Sequence, residues 1–574
     1  MMKKRLRFLL PFLLGAAYGL VLTLLTSRLI TGAWRLAAPV AKLLKFEEVQ
    51  EVALALQQLE RARIQLPWLA IPLLGAAGVL LAWLLRRCRR KNLLSACTAL
   101  VLAIPVTVLL LAFTTINGIR PANILLSTEQ SREYPAETYV SSGETWHFGF
   151  GSREILLPEN SDEPLYIAGY QNGVEISGVL DLCQARAAWL DVGGEGVLLI
   201  GIDCVALDSG TVETIRQRLA DVPNCSAIHV YATHTHAGID TLGLWGPIGI
   251  NGKNADYMEA LLCAAEDAAR EAAASRKAGT LSFSQVSAGD LCHDSRQPLV
   301  FDEHIYQLSF AAADGSPGLR MLLFGAHAES LRGKNTLLSR DFPGLVCDAV
   351  TEATGDDTMF FPGAVGGLIM TKELTDAYED AAGNLTMTAS QLTDRVLSMD
   401  ADSCETLSPQ LVWSNQRFTI PLDNPVFLLY KLLGILGTHS VPGEGAMGYM
   451  LETELTVLLL DDVALALLPG EIFPELVLGG SYGSASPQQE NPTPLREIAA
   501  LYGVEQLIVV GLADDEVGYI VPPSDFLVNP DWPYFDKIVD ATGENHYEET
   551  NSVGPQCAVR IAEAFTAAFR ELAE

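Results

Sequence analysis

Three stretches near the N-terminus lack any alternation of apolar and polar positions. Residues 8–27, 64–85 and 93–119 are uncharged apolar runs bounded by Arg7 and Arg28, by Arg86, and by Lys91 and Arg120. Each meets the ~20 residues that a helix needs to cross a bilayer. A cleaved leader would account for the first run but not for the other two. The pattern predicts a membrane region over residues 1–119 with three transmembrane helices, the second kinked or late-starting at Pro67 and Pro72. A polar stalk over residues 120–140 follows, and then a globular domain over residues 141–574. There the pattern changes to short periodic elements. Residues 196–203 form a continuous apolar run and read as a buried strand. Asp208 and Ser209 cap a helix over residues 210–220, and the β-rich run 226–231 follows. A loop rich in Gly, Pro and Asn (243–254) then leads into a long amphipathic helix over 255–276. Residues 281–286 alternate like a half-exposed strand, and residues 320–324 form another. Residues 455–468 read as two strands turning at Asp461-Asp462, and residues 555–574 as a closing amphipathic helix. Strands interleaved with helices predict an α/β domain with a mixed sheet, whose ligand sites gather at the carboxyl ends of strands.

Charge sets the orientation. Lys3, Lys4, Arg5 and Arg7 precede the first run, and Arg86, Arg87, Arg89, Arg90 and Lys91 separate the second from the third. Both basic clusters belong on the cytoplasmic side. A cytoplasmic N-terminus and three spans put everything after Arg120 outside the cell membrane. The net charge of −31 argues against nucleic acid as a partner. Ten cysteines include no CxxC pair, so a cysteine zinc site is not expected. The even number in the outer domain permits disulfides, but Cys204 and Cys263 sit in apolar segments and read as buried thiols.

Candidate chemistry centres on Tyr231-Ala232-Thr233-His234-Thr235-His236-Ala237, which holds two of the nine histidines. Residues i and i+2 of a strand share a face, so the two imidazoles can converge as a Zn²⁺ site requires. A pair satisfied by hydrogen bonds at a strand end is the alternative. His327 also ends an apolar strand, and Glu471 follows Leu468-Pro469-Gly470 at the end of another. Gly479-Gly480-Ser481-Tyr482-Gly483 matches the G-x-S-x-G pattern of serine hydrolases. That motif needs a strand before it and a helix after it, whereas prolines 487, 492 and 494 follow here.

The THTH run resembles the first zinc motif of the neutral ceramidases, zinc-dependent amidases that cut the N-acyl bond of ceramide. Further segments resemble the same family in the same order. They are Gly149-Phe150-Gly151 with Ile167-Ala168-Gly169-Tyr170; Ile200-Gly201-Ile202-Asp203; Ser339-Arg340-Asp341-Phe342-Pro343-Gly344; and the run from Gly511 through Asp514-Asp515-Glu516 to Tyr519. The resemblance implies one Zn²⁺ held by His234, His327, Glu471 and Tyr519, with His236 beside it as acid and base. It also places Arg296 and Tyr547 on residues that hold the substrate or its developing oxyanion. Zinc with an open position acidifies a bound water to a pKa of ~7, so the expected function is hydrolysis of an amide bond in a lipid-like or envelope substrate. The run Phe361-Pro362-Gly363-Ala364-Val365-Gly366-Gly367-Leu368 contains no serine where the family has one. A ceramidase-like binding protein without catalysis, or a serine hydrolase using Ser481, are the other readings.

Overall fold

The computed structural model describes residue 134 and residues 136–573, except 159–162, 373–380, 400–403, 447, 481–489, 540–542 and 544. The three expected membrane spans, most of the stalk and Ser481 therefore lie outside the described residues. Among the described residues no helix is long and apolar enough to cross a membrane. The chain divides into two compact units. One takes residues 127–246, 252–431 and 436–574; the other takes 1–126 with 247–251 and 432–435 and lies mostly outside the described residues. The first begins before the expected boundary. Glu137–Ser142 is already a strand, paired antiparallel with Gln410–Pro421, so the end of the expected stalk belongs to a sheet.

That unit is built on two sheets. The larger has nine strands. Its order is Asp357–Pro362, Leu319–Phe324, His304–Ala312, Lys277–Ser287, Trp146–Glu154, Gln184–Asp191, Gly196–Ile202 and Cys225–Ala232, with Glu405–Leu407 added to Lys277–Ser287. The pairs at its two ends are parallel and those between are antiparallel, so the sheet is mixed as expected. The smaller, six-stranded sheet runs Glu137–Ser142, Gln410–Pro421, Tyr449–Leu460, Val463–Leu467 and Gln506–Val510, with Ser440–Pro442 on Tyr449–Leu460. Trp146, Phe148, Leu190 and Leu281 of the large sheet and Trp413, Leu458, Leu465 and Ile508 of the small one share a single buried core. Each such side chain contributes roughly 1.5–3 kcal/mol by leaving water. The outer face of the large sheet is covered by the helix Ala255–Ala274, capped by Asn254. Beyond Tyr257 and Leu261 its buried face is alanine (264, 265, 268, 269 and 272), which lets it approach the strand Trp146–Glu154 closely. A Cβ at Gly149 or Gly151 would lie 2.0 or 2.3 Å from the carbonyl oxygens of Ala272 and Ala268. The helix Ser209–Arg218, capped by Asp208, and the closing helix Cys557–Ala573 fall where the pattern puts them.

The large sheet curls until its two edges meet, and this positions the site. Tyr231 on one edge donates its hydroxyl to the Phe360 carbonyl on the other at 2.9 Å and stacks on Phe361 with ring centroids 4.3 Å apart. The end of the strand Gln506–Val510 threads into this seam. The Gly511 N–H donates to Pro362 O at 3.1 Å, the Ala232 N–H to Leu512 O at 3.2 Å and the Leu512 N–H to Gly470 O at 3.0 Å. Three carboxyl ends remote in sequence thus converge: those after Ala232, Phe324 and Leu467. Among the described residues Cys183, Cys204, Cys225, Cys263, Cys292, Cys347 and Cys557 are free thiols. Cys204 is buried, but Cys263 is exposed, because it lies on the outer face of the alanine-rich helix.

Candidate metal centre

The two histidines of the THTH run converge by a different route from strand alternation. The strand ends at Ala232, and His234 adopts a left-handed conformation with φ of 64°. That kink turns its ring toward His236, with centroids 4.7 Å apart and planes nearly perpendicular at 85°. Side-chain and backbone bonds hold the kink. Thr233 Oγ1 donates to Asp203 at 3.0 Å, and Thr235 Oγ1 to Ser339 O at 2.9 Å. The His236 N–H donates to Ala328 O at 2.9 Å, which lays this run beside the segment that carries His327. The Asp341 carboxylate in turn accepts the N–H groups of Ser330 and Leu331 at 3.1 and 3.2 Å, fixing the turn after His327.

His234 Nδ1 hydrogen-bonds to Val205 O at 2.7 Å and His327 Nδ1 to Ile369 O at 3.0 Å. With their protons on Nδ1, both rings present bare Nε2 lone pairs. Both lone pairs face the carboxylate of Glu471: Oε2 lies 3.4 Å from His234 Nε2 and 3.0 Å from His327 Nε2. His236 Nε2 lies 3.2 Å from His234 Nε2. Lone pairs packed against lone pairs and a carboxylate in a buried place repel one another unless a cation sits among them. Donors ~2.1 Å from a tetrahedral Zn²⁺ stand roughly 3.4 Å apart, so these spacings fit such an ion. Backbone carbonyls on the Nδ1 atoms are also the usual outer support of metal-bound histidine. His236 differs, because its Nδ1 is buried without a partner among the described residues.

Glu471 opens the short strand Glu471–Ile472, which pairs in parallel with Tyr519–Ile520 and sets Tyr519 directly beside it. Tyr519 and Tyr547 meet edge to face at 6.3 Å. Both line a cavity of about 380 Å³, together with His234, His236, His327 and Glu471. One wall is apolar, formed by Leu242, Leu244, Trp245, Phe427, Tyr430 and Leu436. Arg296 stands apart from this lining. Its guanidinium pairs with the buried Glu548, donates to Asn545 O at 2.9 Å and lies 5.8 Å over the Tyr547 ring, so it sits behind that residue.

Electrostatics follow from burial. Burial holds His236 well below the usual imidazole range, and His234 and His327 add to this, so it is neutral near pH 7. Burial alone would raise Glu471, but the two imidazoles outweigh it and hold the carboxyl below the ordinary range. Burial, then Glu471, keeps the Tyr519 hydroxyl protonated, and burial with Glu548 does the same for Tyr547.

Two further acids line the cavity that residue-level reading did not single out. Glu329 accepts the hydroxyl of Tyr170, whose ring meets His236 edge to face at 5.2 Å. Glu516 accepts the Gly518 N–H at 2.6 Å, and burial, then Glu471, pushes it up to about 8. The available signal was an acid two or three positions from a candidate ligand. The residues described just before Gly479 form the helix Pro474–Leu478, where a serine-hydrolase elbow needs a strand.

No protein-family model and no curated protein matches the sequence. Solved structures do match. The neutral ceramidase from Pseudomonas aeruginosa superposes with a TM-score of 0.58 over 75% of this chain and 75% of that chain, at 15% identity. A ceramidase complexed with C2 superposes with a TM-score of 0.57 over 75% of each chain, at 13% identity. Identity this low speaks to architecture, and on that ground the chain carries the neutral ceramidase fold in a divergent sequence.

Proposed function

We propose that the protein is a membrane-anchored, zinc-dependent amidohydrolase whose domain outside the membrane cleaves the N-acyl bond of a lipid-like substrate. The observation that carries this reading is the set of lone pairs from His234, His327 and Glu471, backed by the carbonyls of Val205 and Ile369 and opening onto a cavity with one apolar wall. We assign the metal to His234, His327, Glu471 and Tyr519. Zinc bound there would supply Lewis acidity to the amide carbonyl and to a water.

The chain's own groups do the rest. His236, neutral near pH 7, takes a proton from the attacking water at Nε2 and passes it to the leaving nitrogen. The Tyr547 hydroxyl keeps its proton and donates to the developing oxyanion. Arg296 supports that step from behind, by fixing Glu548 and the Tyr547 ring. The apolar wall takes the acyl chain and excludes water from the reacting centre. Three spans over 8–27, 64–85 and 93–119, joined to the domain by the short stretch 120–136, would hold the cavity near lipid at the outer face of the cell membrane.

The likeness to ceramidases supports this reading as regards the fold. A second reading, metal binding without catalysis, draws on Gly366. A Cβ there would lie 2.6 Å from Phe473 N, so no side chain fits at the centre of the serine-less run. One experiment separates the two: zinc content of the purified full-length protein, with turnover of N-acyl lipids by wild type and Glu471→Ala. Wild type should hold one zinc per chain and release fatty acid, and Glu471→Ala should do neither. A protein that takes up no zinc would sink the metal assignment. A zinc-loaded protein that hydrolyses no N-acyl amide would leave the binding reading.

A further inference from the structure

The charge of the cavity wall bears on which amide enters. Glu329, Glu471 and Glu516 line it, and among the described lining residues there is no lysine or arginine. Glu471 is directed at His234 and His327, and Glu329 already accepts the Tyr170 hydroxyl. Glu516 is the one left incomplete. Its Oε1 takes the Gly518 N–H at 2.6 Å, while its Oε2 is buried and has no partner among the described residues. An unpartnered oxygen on a buried carboxyl is costly and calls for a ligand group to complete it. The apolar wall suits the acyl chain, so the polar groups left for the amine half are the carboxyls of Glu329 and Glu516. The net charge of −31 on the whole chain adds a field that repels anions.

We propose that Glu516 is a specificity-determining residue that selects N-acyl amines whose amine half carries an ammonium or hydroxyl donor, and that rejects those ending in a carboxylate. This rests on the hydrolase reading above. Near pH 7 the incomplete carboxyl is mostly protonated; a docked ammonium favours its ionised form and makes a buried ion pair with it, and a hydroxyl satisfies it by hydrogen bonding. A substrate carboxylate opposes that ionisation and finds no lysine or arginine among the described lining residues to pair with.

The test uses three dodecanoyl amides with the same acyl chain: those of ethylenediamine, ethanolamine and glycine. It uses the full-length zinc-loaded protein, with zinc content measured for every variant. Wild type should favour the ethylenediamine amide over the glycine amide in kcat/KM by at least about tenfold, the effect of one displaced pKa unit. Glu516→Gln should bring that ratio to about one, and Glu516→Asp should keep it well above one. A wild-type ratio near one, or a ratio unchanged in Glu516→Gln at full zinc content, overturns the proposal. If wild type hydrolyses none of the amides, the hydrolase reading fails separately. Calorimetric binding of the same three compounds to wild type and Glu516→Gln then decides the role of Glu516 by the same ratios.

Discussion

His234 and His236 lie two residues apart with Nε2 atoms 3.2 Å from each other, yet their hydrogen bonding differs, and substitution of each by glutamine tests the division of roles proposed for them. His234 has its Nδ1 fixed on Val205 O at 2.7 Å, and His327 is held the same way on Ile369 O at 3.0 Å. His236 Nδ1 has no partner among the described residues. Outer-shell support of this kind is by itself worth about 10–100-fold in metal affinity, so removing a ligand should cost more than the upper end of that range. His234→Gln is therefore expected to weaken zinc binding by at least about 100-fold, or about 2.7 kcal/mol. His236→Gln removes a proton carrier and should keep zinc affinity within about threefold, while kcat falls by the roughly 10²–10⁴-fold of general acid–base catalysis. Zinc competition against a fluorescent chelator gives the affinities, and fatty-acid release from an N-acyl amide gives kcat. Equal loss of zinc in both variants would make His236 a ligand and refute the reasoning from hydrogen-bond support.

Three further outcomes follow from the same contacts. Tyr231→Phe keeps the stack on Phe361 but leaves the Phe360 carbonyl without its donor, and should lower stability in urea by about 1–2 kcal/mol. Arg296→Ala strands the fully buried Glu548 and should cost about 3–5 kcal/mol, with turnover falling through Tyr547; Arg296→Lys should restore much of the stability. For the metal-free chain, Glu516 is held at about 8 against an ordinary carboxyl value of 4.5. The stability this contributes is complete below pH 4.5 and is lost as pH rises through about 8. Between those limits wild type should lose up to about 5 kcal/mol relative to Glu516→Gln in paired urea titrations, and parallel pH profiles would contradict the assignment.

How much of this was legible in the sequence depends on the kind of interaction. The elements were legible: the strand Gly196–Ile202, the capped helices Ser209–Arg218 and Ala255–Ala274, and the turn at Asp461 each follow from local periodicity and capping. Two mistakes were also local. Cys263 lies in an apolar helix segment but on its outward side. Residues 137–140 look polar yet join the small sheet, because they add an edge strand whose side chains mostly face water. At the site, His234, His236, His327 and Glu471 were visible as strand-end polar residues. Tyr519 and Tyr547 were not, because buried tyrosines look alike in a sequence whatever they face; only the family resemblance pointed to them.

What the sequence hides is the device that brings these residues together. Nothing in the order of residues says that the strand Cys225–Ala232 meets Asp357–Pro362 at the far end of a nine-stranded sheet, because, apart from Tyr231, the closure is made by backbone atoms of Gly511 and Leu512, which carry no side-chain signature. The same segment continues through Asp514, whose N–H donates to Val230 O at 2.7 Å, to Glu516 and Tyr519. Closing the sheet and placing Tyr519 beside Glu471 are therefore one act, and the left-handed turn at His234 lies two residues beyond the same seam. A perturbation of the seam should thus reach the metal site before it reaches the core. Tyr231→Phe, with no atom on the cavity lining, should weaken zinc binding in proportion to its loss of stability, whereas a core truncation such as Leu281→Ala, remote from the seam, should lower stability by the roughly 2–5 kcal/mol of a buried leucine with zinc affinity of the folded protein unchanged. Equal zinc affinity in the two folded variants would show that the seam and the site are independent.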